Sequence, residues 1–477
     1  QVITEDRASG AQFIDGSLAI NNDKNQYLRK SFSNEGNTRT FTWSSWVKRS
    51  SFGDWQRIFT CEPGSNLIAG LSFTGAVSGS YPIDGIRIQQ QDTDGNNNHF
   101  RTTAAYRDTG WYHIVMRVDT TSGTPGDRLR LYVNGELQSG VYTQGAAPGQ
   151  NSRFYFNRTN NYHEIGHSTQ YNAYYDGQIT QCYWIDGQSL GPENFGFTDP
   201  LTNTWRPKKF EHLSTAITTE YSGASALTWD DNPIGSVYTL SNGNKTATAG
   251  DNNSGYTGAD VWSNAIPADS TTAWTLEITN SDSVGGWYFT DSQTPSGTHP
   301  DERGGNSLGM RNQDADAGWF GTFATANGGS NQGHVLPLPG CETFGSRRVD
   351  FVVYRPASGT GKVWVKDNGA STWVGGGDPS NTSSTPSFVI PDGNTYFGYT
   401  FYDRSNGNQI ATLDGDGSIQ QKAGANSFYL PMDGNTPIGK DQSGRGNDWT
   451  PENFGGSVEL PKATGAIPIL NTNEAGT

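Results

Sequence analysis

Residues 110–138 read GWYHIVMRVDTTSGTPGDRLRLYVNGELQ, and this stretch decides the fold class. Tyr112, Ile114, Met116 and Val118 fall at every second position, with His113, Val115 and Arg117 between them, which is the period of a β-strand. After a loop of Thr, Ser, Gly, Pro and Asp, the residues Leu129, Leu131 and Val133 alternate with Arg128, Arg130 and Tyr132. Asn134-Gly135 then turns the chain, as this dipeptide does in tight hairpins. The two runs are therefore expected to be antiparallel neighbours. They supply alternating faces and a turn, which is a framework, and no catalytic set lies among them.

Composition extends the reading to the whole chain. At 477 residues it is too long for one ordinary core, so two or three domains are expected. The 61 glycines, 12% aromatics and only 17% charged residues suit many short strands joined by turns, with helix minor. A formal charge of −15 argues against nucleic acid as a partner and favours neutral or cation-bridged partners over acidic ones. No apolar run approaches the roughly 18 residues of a membrane span, so no membrane insertion is expected. The opening QVITEDRASG lacks the basic start and apolar centre of a signal peptide, and Gln1 in place of Met suggests that residues precede it. Cys61, Cys182 and Cys341 are too scattered for a disulfide framework and read as buried thiols.

Strand-like runs recur from QYLRKSF through FTWSSWVKRS, RIFTCE, LIAGLSF and GIRIQQ to GQITQCYWIDGQSL, the rhythm of a sandwich or jelly roll. LTNTWRPKKFEH breaks that rhythm, so residues 1–212 form a first domain. Residues 213–425 read as a second β-sandwich, in which Val349, Phe351 and Val353 face one way and Asp350, Val352 and Tyr354 the other. Residues 426–477 form a third segment, whose last residues read as an extended linker to further chain. PENFG occurs at Pro192–Gly196 and again at Pro451–Gly455, either as an internal repeat or as one turn chemistry used twice.

LYVNG, at Leu131 to Gly135, resembles a signature of laminin-G-like and pentraxin-like sandwiches. With ITEDRASGAQFIDGSL, FTWSSWVKRSSFG, YWIDGQSLGPENFGFTDPLTNTWRPKKFE and FYLPMDGNTPIGKDQSGRGNDWTPENFGGS, it is similar to laminin-G-like structural proteins of marine tailed phages, cyanophages among them. The resemblance covers residues 3–212 and 426–472, which makes residues 213–425 an insertion, itself SPRY-like in outline. It implies an all-β chain of tandem antiparallel concanavalin-like sandwiches and a place on the virion surface as tail fibre, spike or capsid decoration. It also implies assembly in the host cytoplasm, association with other virion proteins and a closed homo-oligomer, here expected to be a trimer. The alternatives are a purely structural joining or decoration protein, a secreted bacterial carbohydrate-binding adhesin and a polysaccharide depolymerase.

The chemistry expected is binding. Glycosidases of this class set paired carboxylates on one strand as Glu-x-Asp-x-x-Glu, a spacing absent here, and no Gln-x-His strand of the alginate-lyase kind is expected. The chain is accordingly read as not an enzyme. His163 and His167, at strand spacing, are expected on one face about 13 Å apart, too far to share a metal. KDNGASTW, Lys366 to Trp373, resembles a sialidase Asp-box but reads as an Asp-Asn-Gly turn. Calcium is the candidate cofactor, at Asp441, Asn447 and Asp448 of DQSGRGNDW, with shorter copies at Asp92, Asp94 and Asn96 and at Asp414 and Asp416, each also readable as an Asx-turn. For a host surface polysaccharide the candidate ligands are Tyr162, Tyr171, Tyr174 and Tyr175, flat rings set among Asn and Gln, with at least one of the last two outward.

Overall fold

A computed structural model describes residues 11–454 except 13, 65–66, 77–80, 92–96, 144, 160, 214–216, 222, 231–237, 250–258, 282–285, 292–307, 314–316, 323–344, 394–395 and 402–408. Among these residues the secondary structure is strand, with three single-turn 3-10 helices at Asn22–Lys24, Pro125–Asp127 and Pro192–Asn194. The chain divides into two compact units, residues 1–216 with 422–477, and residues 217–421. No helix among the described residues is long and apolar enough to cross a membrane.

The first unit is a sandwich of a seven-stranded and an eight-stranded antiparallel sheet. The strand Tyr112–Asp119 lies in the first of these, between Thr40–Arg49 and Leu129–Val133. Ile114, Met116 and Val118 point into the core and stand opposite Val133, Leu131 and Leu129, so the alternation read from the sequence is the packing seen. From the other sheet Ile58, Leu71, Ile88 and Phe100 meet them. The seven-stranded sheet is also covered on its outer side: His113 and Val115 are buried there, His113 between the rings of Trp46 and Trp205. Half-polar alternation on this strand therefore marks two buried faces rather than one wet one.

The returning segment completes both sheets. Phe428–Leu430 pairs with Gly177–Asp186, and Thr450–Glu452 pairs with Tyr27–Ser31 on the eight-stranded sheet. Trp449, Phe428 and Met432 enter the core. A buried Asp186 ties the parts together, its carboxylate accepting from the Asn37 amide, the Asn157 side chain and the Asn426 amide. The two PENFG copies do not share a conformation: the first forms the 3-10 turn Pro192–Asn194, whereas the second begins inside the strand Thr450–Glu452. Strand pairing fixes the second copy; the first lies beyond its strand and is free to coil.

The second unit packs a seven-stranded sheet on a five-stranded one. Val349, Phe351 and Val353 of Gly345–Arg355 enter the core between them, while Val352 and Tyr354 join a smaller cluster on the opposite side with Trp364 and Ile419. Asp350 is buried on that side and its carboxylate accepts from Thr275 and Asn368, so Lys366–Trp373 is a turn held to the neighbouring strand. Cys61 and Cys182 are free and buried; Cys341 lies outside the described residues.

Candidate functional site

The eight-stranded sheet of the first unit carries a row of polar and charged side chains on its outer face. Gln56–Gly64, Leu67–Phe73, Ile86–Gln91 and Asn97–Thr102 are adjacent strands. Their register places Arg57 opposite Ser72, Ser72 opposite Arg87 and Arg87 opposite Arg101, one row running across four strands. Two residues along, Gly70, Gln89 and His99 form the next row. Because Ile58, Leu71, Ile88 and Phe100 point into the core, period two sends these polar groups to the other face.

Aromatic rings flank the arginines. The Arg57 guanidinium lies 5.1 Å from the Trp55 ring and 5.0 Å from the Tyr171 ring, Arg87 5.0 Å from Trp55, and Arg101 4.4 Å from Tyr81. Arg57 and Arg87 are only 3% and 7% exposed. Arg57 Nη1 donates to Ser72 Oγ at 3.3 Å, and Arg87 Nη2 meets Gln89 Oε1 and His99 Nε2. The Nε groups of Arg57, Arg87 and Arg101 are buried without a hydrogen-bond acceptor among the described residues. Burial, then the fields of Arg57 and Arg101, push Arg87 down to about 9, still a cation at neutral pH; burial and the three arginines push His99 down to about 3, so it is neutral.

Two carboxylates build the rim. The strand Tyr162–Ile165 ends at Gly166, whose φ of 87° turns the chain back over the sheet. Glu62 accepts from the Ser168 hydroxyl and the Gln170 amide, and Glu164 from the Thr169 amide and hydroxyl and from Arg29. These bonds hold the Thr169–Asn172 turn, which sets Tyr171 over Arg57. Burial raises Glu62 above the usual carboxylate range; in Glu164 burial acts the same way, but bonds from His167, Thr169 and Arg29 prevail and hold it below.

The four tyrosines separate accordingly. Tyr162 and Tyr171 are 56% and 49% exposed on this face, Tyr162 with the Arg29 guanidinium 4.7 Å from its ring. Tyr174 is half-buried and stacks on His167 at 4.2 Å. Tyr175 is a core residue, 1% exposed, its hydroxyl donating to Lys48 O at 2.8 Å, and so it is no part of a sugar platform. His163 and His167 do not share a face: His163 packs in the core on Phe32, while Gly166 turns His167 to the outside against Glu164.

The calcium candidates are closed by their own hydrogen bonds. The Asp441 carboxylate accepts from the amides of Tyr429, Ser443 and Asn447 and from the Ser443 hydroxyl. Asn447 Nδ2 donates to Ala425 O and Ser427 O, and Asp448 accepts from the Asp441 amide and Lys440 Nζ. The Asp441 and Asp448 carboxylates are thus taken up by the chain's own donors, with the Lys440 ammonium in contact with Asp448. Asp414 and Asp416 are likewise taken up by Arg348 and Lys245, and Asp92, Asp94 and Asn96 lie outside the described residues. So does Gln332-Gly333-His334, a Gln-x-His triplet where none was expected. Among the described residues no three His, Cys, Asp or Glu side chains gather as a metal site.

The arginine row was missed because its members are far apart in sequence. Each sits in an alternating run, as in IRIQQ, but the runs do not reveal which strands adjoin. The fold is that of an all-β chain of antiparallel sandwiches. Residues 22–189 match the family Laminin_G_3, described as the concanavalin A-like lectin/glucanases superfamily. No curated protein matches the sequence. Similar solved structures include a Ruminococcus gnavus IT-sialidase CBM40 (16% identity, 37% of this chain and 93% of that one, TM-score 0.28). Others are the TRIM65 PSpry domain (13%, 40% and 94%, 0.25) and mouse laminin alpha1 domains LG4-5 (9%, 88% and 98%, 0.25).

Proposed function

We propose that this chain is a carbohydrate-binding protein of a tailed-phage particle surface, a non-catalytic homo-oligomer that holds sandwich modules toward the host envelope. The observation that carries the binding role is the outer face of the eight-stranded sheet, where Tyr162 stands exposed on its strand and Tyr171 on a turn fixed by Glu62 and Glu164. Flat rings on a rigid support stack on sugar rings without an acid or base. The two carboxylates are engaged in holding that turn, which supports binding over hydrolysis. The resemblance of its long motifs to those of marine phage structural proteins supports the virion setting, and trimeric assembly follows the closed symmetry usual for such particles.

The test is a polysaccharide panel. Purified protein should retain one or more polymers and release no reducing ends or unsaturated products from any of them. Tyr171→Ala should weaken retention while the fold stays intact. Retention of no polymer, or depolymerisation abolished by a point substitution, overturns the binding reading. Particle proteomics that places the chain on a cell surface and not in virions overturns the setting alone.

A further inference from the structure

Several described arginines meet a carboxylate, among them Arg29 with Glu164, Arg49 with Asp84, Arg130 with Asp127 and Arg348 with Glu277. The row Arg57, Arg87 and Arg101 differs. Among the described residues none of the three is in an ion pair, although the chain carries a net charge of −15 and acids are plentiful. Antiparallel neighbours stand about 5 Å apart, so like charges in one row repel unless something neutralises them. Two of the three are also nearly out of water, which removes the solvent that would otherwise screen them. Among the described residues, Glu62 and Tyr171 are the groups that bring negative potential to Arg57, and Glu62 is committed to Ser168 and Gln170. The unpartnered Nε groups mark where acceptor oxygens are wanted.

We infer that this row is an anion subsite, built to take a carboxylate or sulfate oxygen of an acidic sugar polymer, with Tyr171 and Trp55 flanking the ring that bears it. Arg101 and His99, half-buried, form its open edge; Arg57 and Arg87 form its floor. Neutral His99 adds a polar contact without charge repulsion or an added cation. Guanidinium groups suit both oxyanions because their paired N–H donors match two oxygens at once. The local field reverses the expectation drawn from net charge, which favours neutral partners.

The inference rests on the proposed glycan reading and sharpens its substrate class. Its test uses the full chain with four polymers matched in length: a neutral glucan, a polyuronate, a sulfated galactan and inorganic polyphosphate, the last having charge without sugar rings. Wild type should bind the polyuronate, the sulfated galactan or both more tightly than the glucan and the polyphosphate; which acidic polymer prevails names the oxyanion. Arg101→Gln, at the half-buried edge, should weaken that binding by about tenfold or more, the loss expected of one charge-assisted contact. Arg130→Gln, removing an equal charge from the other sheet, should change it less than about twofold, as remote charge does in screened solvent. Thermal unfolding of Arg101→Gln within a degree or so of wild type separates lost contact from lost fold. Binding of the neutral glucan alone leaves the glycan reading standing and overturns the anion subsite. Equal binding of polyphosphate, or equal losses in both variants, shows a general electrostatic surface and also overturns it. Binding of no polymer sinks both.

Discussion

Gly135→Ala probes the turn that closes the opening stretch. Asn134 and Gly135 have φ of 50° and 84°, and the turn is tied to the next strand by Asn134 N donating to His113 O and His113 N to Asn134 Oδ1, both at 2.8 Å. A Cβ on Gly135 would stand 2.4 Å from Cζ3 and 2.5 Å from Cε3 of Trp205. That indole cannot retreat freely, because its Nε1 donates to His113 Nδ1 at 3.0 Å and its ring stacks over the imidazole. A left-handed alanine costs about 1–2 kcal/mol and overpacking about 1–3 kcal/mol more, so a loss of roughly 2–5 kcal/mol is expected. Calorimetry should show one unfolding transition moving down by about 5–15 °C, that of the unit containing Trp205, with the other unit's transition in place. In a Trp205→Ala background the clash disappears, and the cost of Gly135→Ala should fall to the backbone part, about 1–2 kcal/mol. A cost below about 0.5 kcal/mol in wild type, or the same cost in both backgrounds, would refute the reasoning.

Burial pushes His113 down to about 3. The folded state therefore refuses a proton that the unfolded chain takes below its ordinary value near 6.5, and this contribution is full above that pH and lost as pH falls toward 3. The stability difference between wild type and His113→Gln should shrink by roughly 2 kcal/mol from pH 7.5 to pH 5, read from urea midpoints; a constant difference would count against it. Tyr175→Phe should cost about 1 kcal/mol through the lost bond to Lys48 O and leave polysaccharide binding unchanged, and loss of binding would return Tyr175 to the site. Asp441→Ala strands several donors at once and should cost roughly 2–4 kcal/mol. The wild-type melting temperature should be the same in chelator and in millimolar calcium; a rise with calcium would show that the loop opens to the ion.

Residue alternation by itself determined which side chains of a strand share a face. Ile114, Met116 and Val118, and likewise Val349, Phe351 and Val353, point into their cores as period two requires, and Asn134-Gly135 supplies the positive φ of its turn. These are local properties, set by the geometry of one strand or two residues. What the far side of a sheet meets is not local, so the sequence pattern does not show that His113 and Val115, which alternate with those core positions, are buried beneath a covering layer. Tyr171 and Tyr175 have similar neighbours in sequence, yet one rides a turn pinned by Glu62 and Glu164 and the other fills the core. The arginine row exists only in register: Arg57, Ser72, Arg87 and Arg101 come from four strands, and a slip of one residue in any pairing would send its member into the core. Phe428–Leu430 and Thr450–Glu452 reach their partner strands from across an entire intervening unit. Strand periodicity is a property of the backbone and can be read in sequence; pairing and register are chosen by the burial of the whole core, and only the tertiary structure decides them.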